Sequence, residues 1–135
     1  AAARGGDTVH ERILIVDDEA PVAELLEQAL RQEGYEVTRA EDGMEAMNRI
    51  QAFEPDVVIM DVMMPRLDGV QTTRLLRRNR NFRDVVIVAL SARTDQPARD
   101  AMREAGANLY MRKPFTIARL VERVRELLDA RTVDR

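Results

Sequence analysis

The residues of this chain whose types and positions could do chemistry are Asp17, Asp18, Asp61, Ser91 and Lys113. Each follows a short apolar run. Arg12-Ile-Leu-Ile-Val16 precedes Asp17-Asp18-Glu19, Val57 to Met60 precedes Asp61, Asp84 to Leu90 precedes Ser91, and Asn108 to Met111 lies just before Lys113. Short runs rich in β-branched residues read as buried strands. The acids, hydroxyl and ammonium therefore fall at strand ends, where open α/β sheets bind their ligands. Three close carboxylates repel one another and raise one another's pKa unless a cation is present. A hard divalent cation answers this, and Mg²⁺ takes carboxylate oxygens, waters and phosphate oxygens. Asp61 can attack phosphorus to give an aspartyl phosphate. Mg²⁺ and Lys113 would neutralise charge on the transferring phosphoryl group, and Ser91 would donate a hydrogen bond to it.

Plainer readings exist for each residue. Asp17-Asp18-Glu19 or Ser91 could cap a helix, Asp61 could form a turn, and Lys113-Pro114 could be only a turn. Their joint occurrence at four strand ends favours the chemical reading. Composition adds one more sign: the chain has 20 Arg and a single Lys, Lys113. A compact ammonium on a flexible stem is kept where a planar guanidinium fork would not serve.

The elements that must position these residues alternate. After the first strand, Pro21 suits a first helical turn. Val22, Leu25, Leu26, Ala29 and Leu30 then follow the i, i+3, i+4, i+7, i+8 pattern of an amphipathic helix, stopped by Gly34. Tyr35 to Ala40 is a second, more polar strand. Asp42-Gly43 leads into a helix with Met44, Met47 and Ile50 as its core row. Pro65 and Asp68-Gly69 turn the chain from the third strand into a helix over residues 70–80, whose Arg74, Arg77, Arg78 and Arg80 read as a solvated face. Pro97 to Ala105 is an Ala-rich helix with Met102 as its one large apolar residue, expected to be weakly anchored. Ile117, Leu120, Val121, Val124, Leu127 and Leu128 form the last helix, with Thr116 as its N-cap. Crossovers of this length require a parallel sheet with helices on both faces. The expected fold is α/β, a flavodoxin-like (βα)5 doubly wound parallel sheet of strand order 2-1-3-4-5, the polar second strand going to an edge.

A chain of 135 residues is expected to form one domain. Residues 1–10 read as a flexible leader or an expression remnant, 11–130 as the domain, and 131–135 as a tail or the start of a linker. There is no Cys, hence no disulfide framework or thiolate metal site. No apolar run approaches the ~20 residues of a membrane span. The net charge of −3 argues against nucleic-acid binding by this domain. The expected place is the cytoplasm.

Asp17-Asp18 after Ile-Leu-Ile-Val, Asp61-Val-Met-Met-Pro-Arg-Leu-Asp-Gly69, Leu90-Ser91-Ala92 and Tyr110-Met-Arg-Lys113-Pro114-Phe115 closely resemble the receiver domain of bacterial two-component response regulators. The resemblance covers about residues 11–130. It implies a phosphorylation-dependent switch, not a metabolic enzyme, that catalyses its own phosphorylation and dephosphorylation. Asp61 would accept phosphate from the phosphohistidine of a sensor histidine kinase or phosphotransfer protein. Mg²⁺ would be held by Asp18, Asp61 and the backbone carbonyl of Met63, with Asp17 binding through water. The Lys113–Pro114 bond would be cis. Ser91 would move toward the phosphate as the Tyr110 ring turns inward. The fourth helix, fifth strand and fifth helix would carry the signal to an attached output domain or a downstream protein. Met63 and Arg93 would tune the lifetime of the acyl phosphate.

Two other readings fit less well. A phosphatase of the haloacid-dehalogenase type wants an Asp-x-Asp nucleophile after the first strand and a cap domain; this chain has Asp17-Asp18-Glu19 and no cap insertion. A flavin-binding electron carrier needs Ser, Thr and Gly after the first strand, where this chain has acids. The last helix further resembles that of the winged-helix transcription-factor branch, whose members dimerise through a charge ladder on the fourth helix, fifth strand and fifth helix. Arg99 and Arg119 stand at ladder positions, but Ala105, Asn108 and Leu109 replace its acids, leaving Arg123 without its expected partner. That predicts no such dimer, and an apolar surface of Ala98, Met102 and Leu109 in its place.

Overall fold

The computed structural model describes residues 10–63, 68–92 and 95–133. Residues 1–9 of the expected 1–10 leader, the turn at Pro65, Arg93 and the last two residues lie outside them. Strands β1 (Arg12–Val16), β2 (Glu36–Ala40), β3 (Val57–Asp61), β4 (Val86–Ser91) and β5 (Leu109–Arg112) alternate with helices α1 (Ala20–Gln32), α2 (Gly43–Phe53), α3 (Gly69–Arg78), α4 (Gln96–Ala105) and α5 (Ile117–Val133). The sheet order is β2-β1-β3-β4-β5 and every pairing is parallel, as expected. The fifth helix runs on through residue 130 to Val133 without a break.

The uninterrupted apolar runs follow from burial of the sheet on both faces. Ile13, Ile15, Val57, Ile59, Val86 and Val88 pack under α1 and α5 with Leu26, Leu30, Leu120, Val124 and Leu128. Their neighbours Leu14, Val16, Val58, Met60 and Ile87 pack on the other face with Ile50 of α2 and Leu76 of α3. Strand alternation thus sends one residue to each layer.

Caps fix the helix starts. Asp42 Oδ1 accepts from the Glu45 N–H at 2.9 Å. Asp68 accepts from the Gln71 N–H while Gln71 Oε1 accepts from the Asp68 N–H, a closed capping box. Thr116 Oγ1 accepts from the Arg119 N–H at 3.2 Å.

Several side chains depart from the sequence expectations. On α1 the buried stripe is Ala23, Leu26 and Leu30, and Leu25 is 57% exposed; small Ala23 lets the helix sit close to the sheet. On α2, Ala46 and Ile50 are buried, whereas Met44 is 49% exposed. Met102 of α4 is fully buried against Val62 and Ala89, with Ala98 and Ala105 also buried. A helix with one large apolar residue must spend it on docking, so Met102 and Ala98 do not form the expected exposed surface. Arg74, Arg78 and Arg80 are exposed as expected, but Arg77 turns inward. Its guanidinium donates to Gly106 O and Phe82 O, both at 3.0 Å, to Arg83 O at 3.1 Å and to Asn108 Oδ1 at 2.8 Å. Asn108 Oδ1 also accepts from the Ile87 N–H at 2.7 Å. Helix α3 ends at Arg78, and a 3-10 turn, Arg80–Phe82, buries Phe82.

Candidate active site

Parallel pairing brings the carboxyl ends of β1, β3, β4 and β5 to one rim. Asp61, the last residue of β3, is 5% exposed. Its Oδ1 accepts from the Met63 N–H at 3.1 Å, and its Oδ2 lies 3.4 Å from Lys113 Nζ. Just past β1, Asp17 is equally buried; its Oδ1 accepts from the Glu19 N–H at 2.8 Å. Asp17 Oδ2 is buried without a hydrogen-bond partner and lies 3.7 Å from Lys113 Nζ. Glu19 Oε1 is 3.6 Å from the same ammonium. One lysine therefore faces three carboxylates.

Gly69 makes the approach of α3 to this rim possible. A Cβ there would stand 2.8 Å from Val62 Cα and 3.0 Å from Asp61 O, closer than non-bonded atoms tolerate. The Gly69 N–H donates to Val62 O at 3.1 Å, so α3 starts directly behind the Asp61 backbone.

Burial governs the electrostatics. It raises the Asp61 pKa above the usual carboxylate value; Lys113 and the Met63 N–H oppose this, and Asp17 adds to it. Asp17 is raised for the same first reason, against its bond from the Glu19 N–H and the charge of Lys113. Burial on its own would lower the Lys113 pKa, but Asp61, Asp17 and Glu19 together outweigh it and hold it above its usual value. The site wants positive charge beyond what Lys113 supplies.

Ser91, the last residue of β4, is fully buried, and its carbonyl accepts from the Lys113 N–H at 2.8 Å. The Lys113–Pro114 peptide bond is cis. Tyr110 is half-buried beside Val62, Ala89 and Met102, and the Arg99 guanidinium lies 5.6 Å from its ring centroid. Met63 is 58% exposed. Arg123 pairs within its own helix with Glu126, at 3.2 Å.

The structure gathers Asp17, Glu19, Asp61 and Lys113. Carboxylate oxygens of Asp17, Glu19 and Asp61 lie within 4.8 Å of one another and could hold a metal ion. Asp18 is exposed and, together with Asp17, lines a cleft of about 370 Å³ that extends to Arg39, Glu41, Glu45 and Arg49. Sequence reasoning read Glu19 only as part of a helix cap. The signal for a site role was its place two residues after Asp17 in the same acidic run.

The model of the response regulator receiver domain matches residues 13–125. This chain belongs to the response regulator receiver family. It is 45% identical over 123 residues to the response regulator MprA of Mycolicibacterium vanbaalenii, covering 91% of this chain and 52% of that protein. It is 45% identical over 120 residues to the transcriptional regulatory protein PrrA of Mycobacterium leprae, covering 89% of this chain and 51% of that protein. The receiver chain thus spans about half the length of the curated relatives it matches. Among solved structures, a putative response regulator from Chloroflexus aurantiacus superimposes with a TM-score of 0.84 at 42% identity, covering 90% of this chain and 99% of that one. The chemotaxis protein CheY4 of Vibrio cholerae gives 0.84 at 28% identity, covering 88% and 99%. A phosphatase reading finds no support in these relatives. No helix of the described residues is long and apolar enough to cross a membrane.

Proposed function

We propose that this receiver domain takes a phosphoryl group on Asp61 from the phosphohistidine of a sensor kinase or phosphotransfer protein. The P–N bond to the histidine breaks as a P–O bond forms to a carboxylate oxygen of Asp61, and the imidazole leaves. The observation that carries this reading is the buried Asp61 carboxylate with an ammonium 3.4 Å away. A buried nucleophile needs that charge both to stay ionised and to offset the phosphoryl oxygens.

The donor set suits a hard divalent cation: oxygens only, negative, with a buried Asp17 Oδ2 lacking a hydrogen-bond partner. We assign Mg²⁺ to Asp18, Asp61 and the Met63 carbonyl, with Asp17 holding it through water; Glu19 is a further carboxylate within reach. The bound cation would supply charge neutralisation for phosphoryl transfer. In the same reading, Ser91 donates a hydrogen bond to the phosphoryl group and Tyr110 follows it inward. Met63 and Arg93 tune hydrolysis of the acyl phosphate, so the domain catalyses its own phosphorylation and dephosphorylation. The signal leaves through α4, β5 and α5 to an attached output domain or a downstream protein, in the cytoplasm.

Acetyl phosphate with Mg²⁺, read by intact mass, tests this. Phosphoprotein should form with Mg²⁺ and be lost with chelator. A chain that stays unmodified in both, or is modified equally in both, contradicts the reading.

A further inference from the structure

Between Gly69 and Arg83 the chain holds five arginines and no carboxylate, within a protein of net charge −3. Arg77 is the internal clamp described above. The others point outward with a pattern. Gln71, Arg74, Leu75 and Arg78 stand at i, i+3, i+4 and i+7 and are all exposed, so they form one stripe along α3. Leu75, 38% exposed, is its apolar member, next to Arg74 and one turn before Arg78, with Gln71 one turn behind it. Arg80 and Arg83 extend the positive surface over the 3-10 turn.

Nothing within the fold calls for this arrangement. Among the described residues, no carboxylate lies within ion-pair distance of Arg74, Arg78 or Arg80, whereas Arg12, Arg31, Arg39, Arg49 and Arg125 all have acidic partners. Like charges at i, i+4, as at Arg74 and Arg78, weaken a helix. Favourable interaction with the helix dipole covers the last turn only, hence Arg78 but not Arg74 or Arg80.

We propose that the outer face of α3 docks an acidic amphipathic helix of a partner protein, its carboxylates meeting Arg74 and Arg78 and an apolar side chain meeting Leu75. Apolar residues on the seam with charges beside them is how paired helices select one another, and the guanidinium fork suits a carboxylate. A nucleic acid suits the surface less. Helix α3 spans only about 15 Å, the remainder of the domain repels a polyanion, and the nearby aromatic ring, Phe82, is buried and cannot stack on a base. This surface is separate from the phosphoacceptor rim and does not depend on the function proposed for it.

The test is fluorescence anisotropy with a labelled helical peptide carrying a leucine with one glutamate beside it and another one turn away. Its glutamine counterpart and a labelled DNA duplex serve as comparisons. The glutamate peptide should bind saturably, and binding should fall at high salt. It should weaken about tenfold in an Arg74→Ala/Arg78→Ala variant, and also in Leu75→Ala. Both variants change exposed side chains, and unaltered melting would show that they fold. The proposal is overturned by absence of binding, by equal binding of the glutamine peptide, by tighter binding of the duplex, or by variants that bind as the parent does.

Discussion

Replacing Arg77 tests whether one side chain ties the end of α3 to the α4–β5 turn. Its guanidinium donates four hydrogen bonds, to three backbone carbonyls and to Asn108 Oδ1. Its stem fills the space beside Gly106, where a Cβ would meet Arg77 Cγ at 2.5 Å. A hydrogen bond from a charged donor contributes about 1.5–3 kcal/mol net. Two factors reduce the sum. Burial lowers the Arg77 pKa, so holding the charge has a cost, and water can reach the more exposed acceptors once the side chain is gone. Counting roughly half the bonds gives a loss of about 3 kcal/mol for Arg77→Ala. For a domain of this size that is a Tm fall of about 10 °C. Arg77→Met keeps the stem and loses the bonds, so it should recover only the packing part. Arg77→Lys, a point donor without a fork, should recover less than half of the loss. Thermal melts by circular dichroism measure the first effect. Hydrogen exchange at the Ile87 amide, which shares Asn108 Oδ1, reports the local one. Variants Arg77→Ala and Arg77→Met melting within about 2 °C of the parent would refute the reasoning.

Other substitutions probe the rim and the assembly. Gly69→Ala drives a Cβ to 2.8 Å from Val62 Cα; it should destabilise by about 1–3 kcal/mol and slow phosphorylation by acetyl phosphate, because the displaced backbone is that of Asp61. Burial raises the Asp61 pKa, so the folded state binds a proton there more readily than the unfolded chain, and the ionised group costs stability above that raised value. In metal-free buffer Asp61→Asn should therefore melt higher than the parent at neutral pH, with the gain shrinking as pH falls through the carboxylate range; a pH-independent difference would exclude that cause. Because Arg99 and Arg119 would set like charges where the ladder pairs opposite ones, and Ala105, Asn108 and Leu109 offer no carboxylate to Arg123, beryllofluoride and Mg²⁺ should not produce a symmetric dimer through α4, β5 and α5. Sedimentation showing a dimer that Arg99→Ala or Arg119→Ala disrupts would contradict this.

Most of the fold was legible because two periods are written into the chain. Runs such as Ile13 to Val16 are apolar at every position, which only a sheet covered on both faces explains, and the polar Glu36–Ala40 had to take an edge. Asp61, Ser91 and Lys113 were legible because each follows such a run and so reaches the same rim. What escaped were choices within a pattern. Helical spacing admits either Ala23 or Leu25 to the inner stripe of α1, and close packing against the sheet takes the smaller. Met44 and Met102 look alike in sequence, yet only Met102 has a helix with no other large side chain to seat it. Arg77 is indistinguishable by spacing from Arg74 and Arg78; its acceptors come from residues 82–83 and 106–108, contacts that no local pattern encodes. Glu19 reads as a helix cap until the fold brings Lys113 beside it.

The central claim, that Asp61 is the phosphoacceptor, is tested most directly by locating the acyl phosphate. The protein is incubated with acetyl phosphate and Mg²⁺, the adduct is trapped by borohydride reduction, and the modified residue is mapped by peptide mass spectrometry. The modification should fall on Asp61 and vanish in Asp61→Asn, with Asp17 and Asp18 unmodified. Modification of Asp61→Asn at the parent's level, or an adduct on another residue of the parent, would contradict the account.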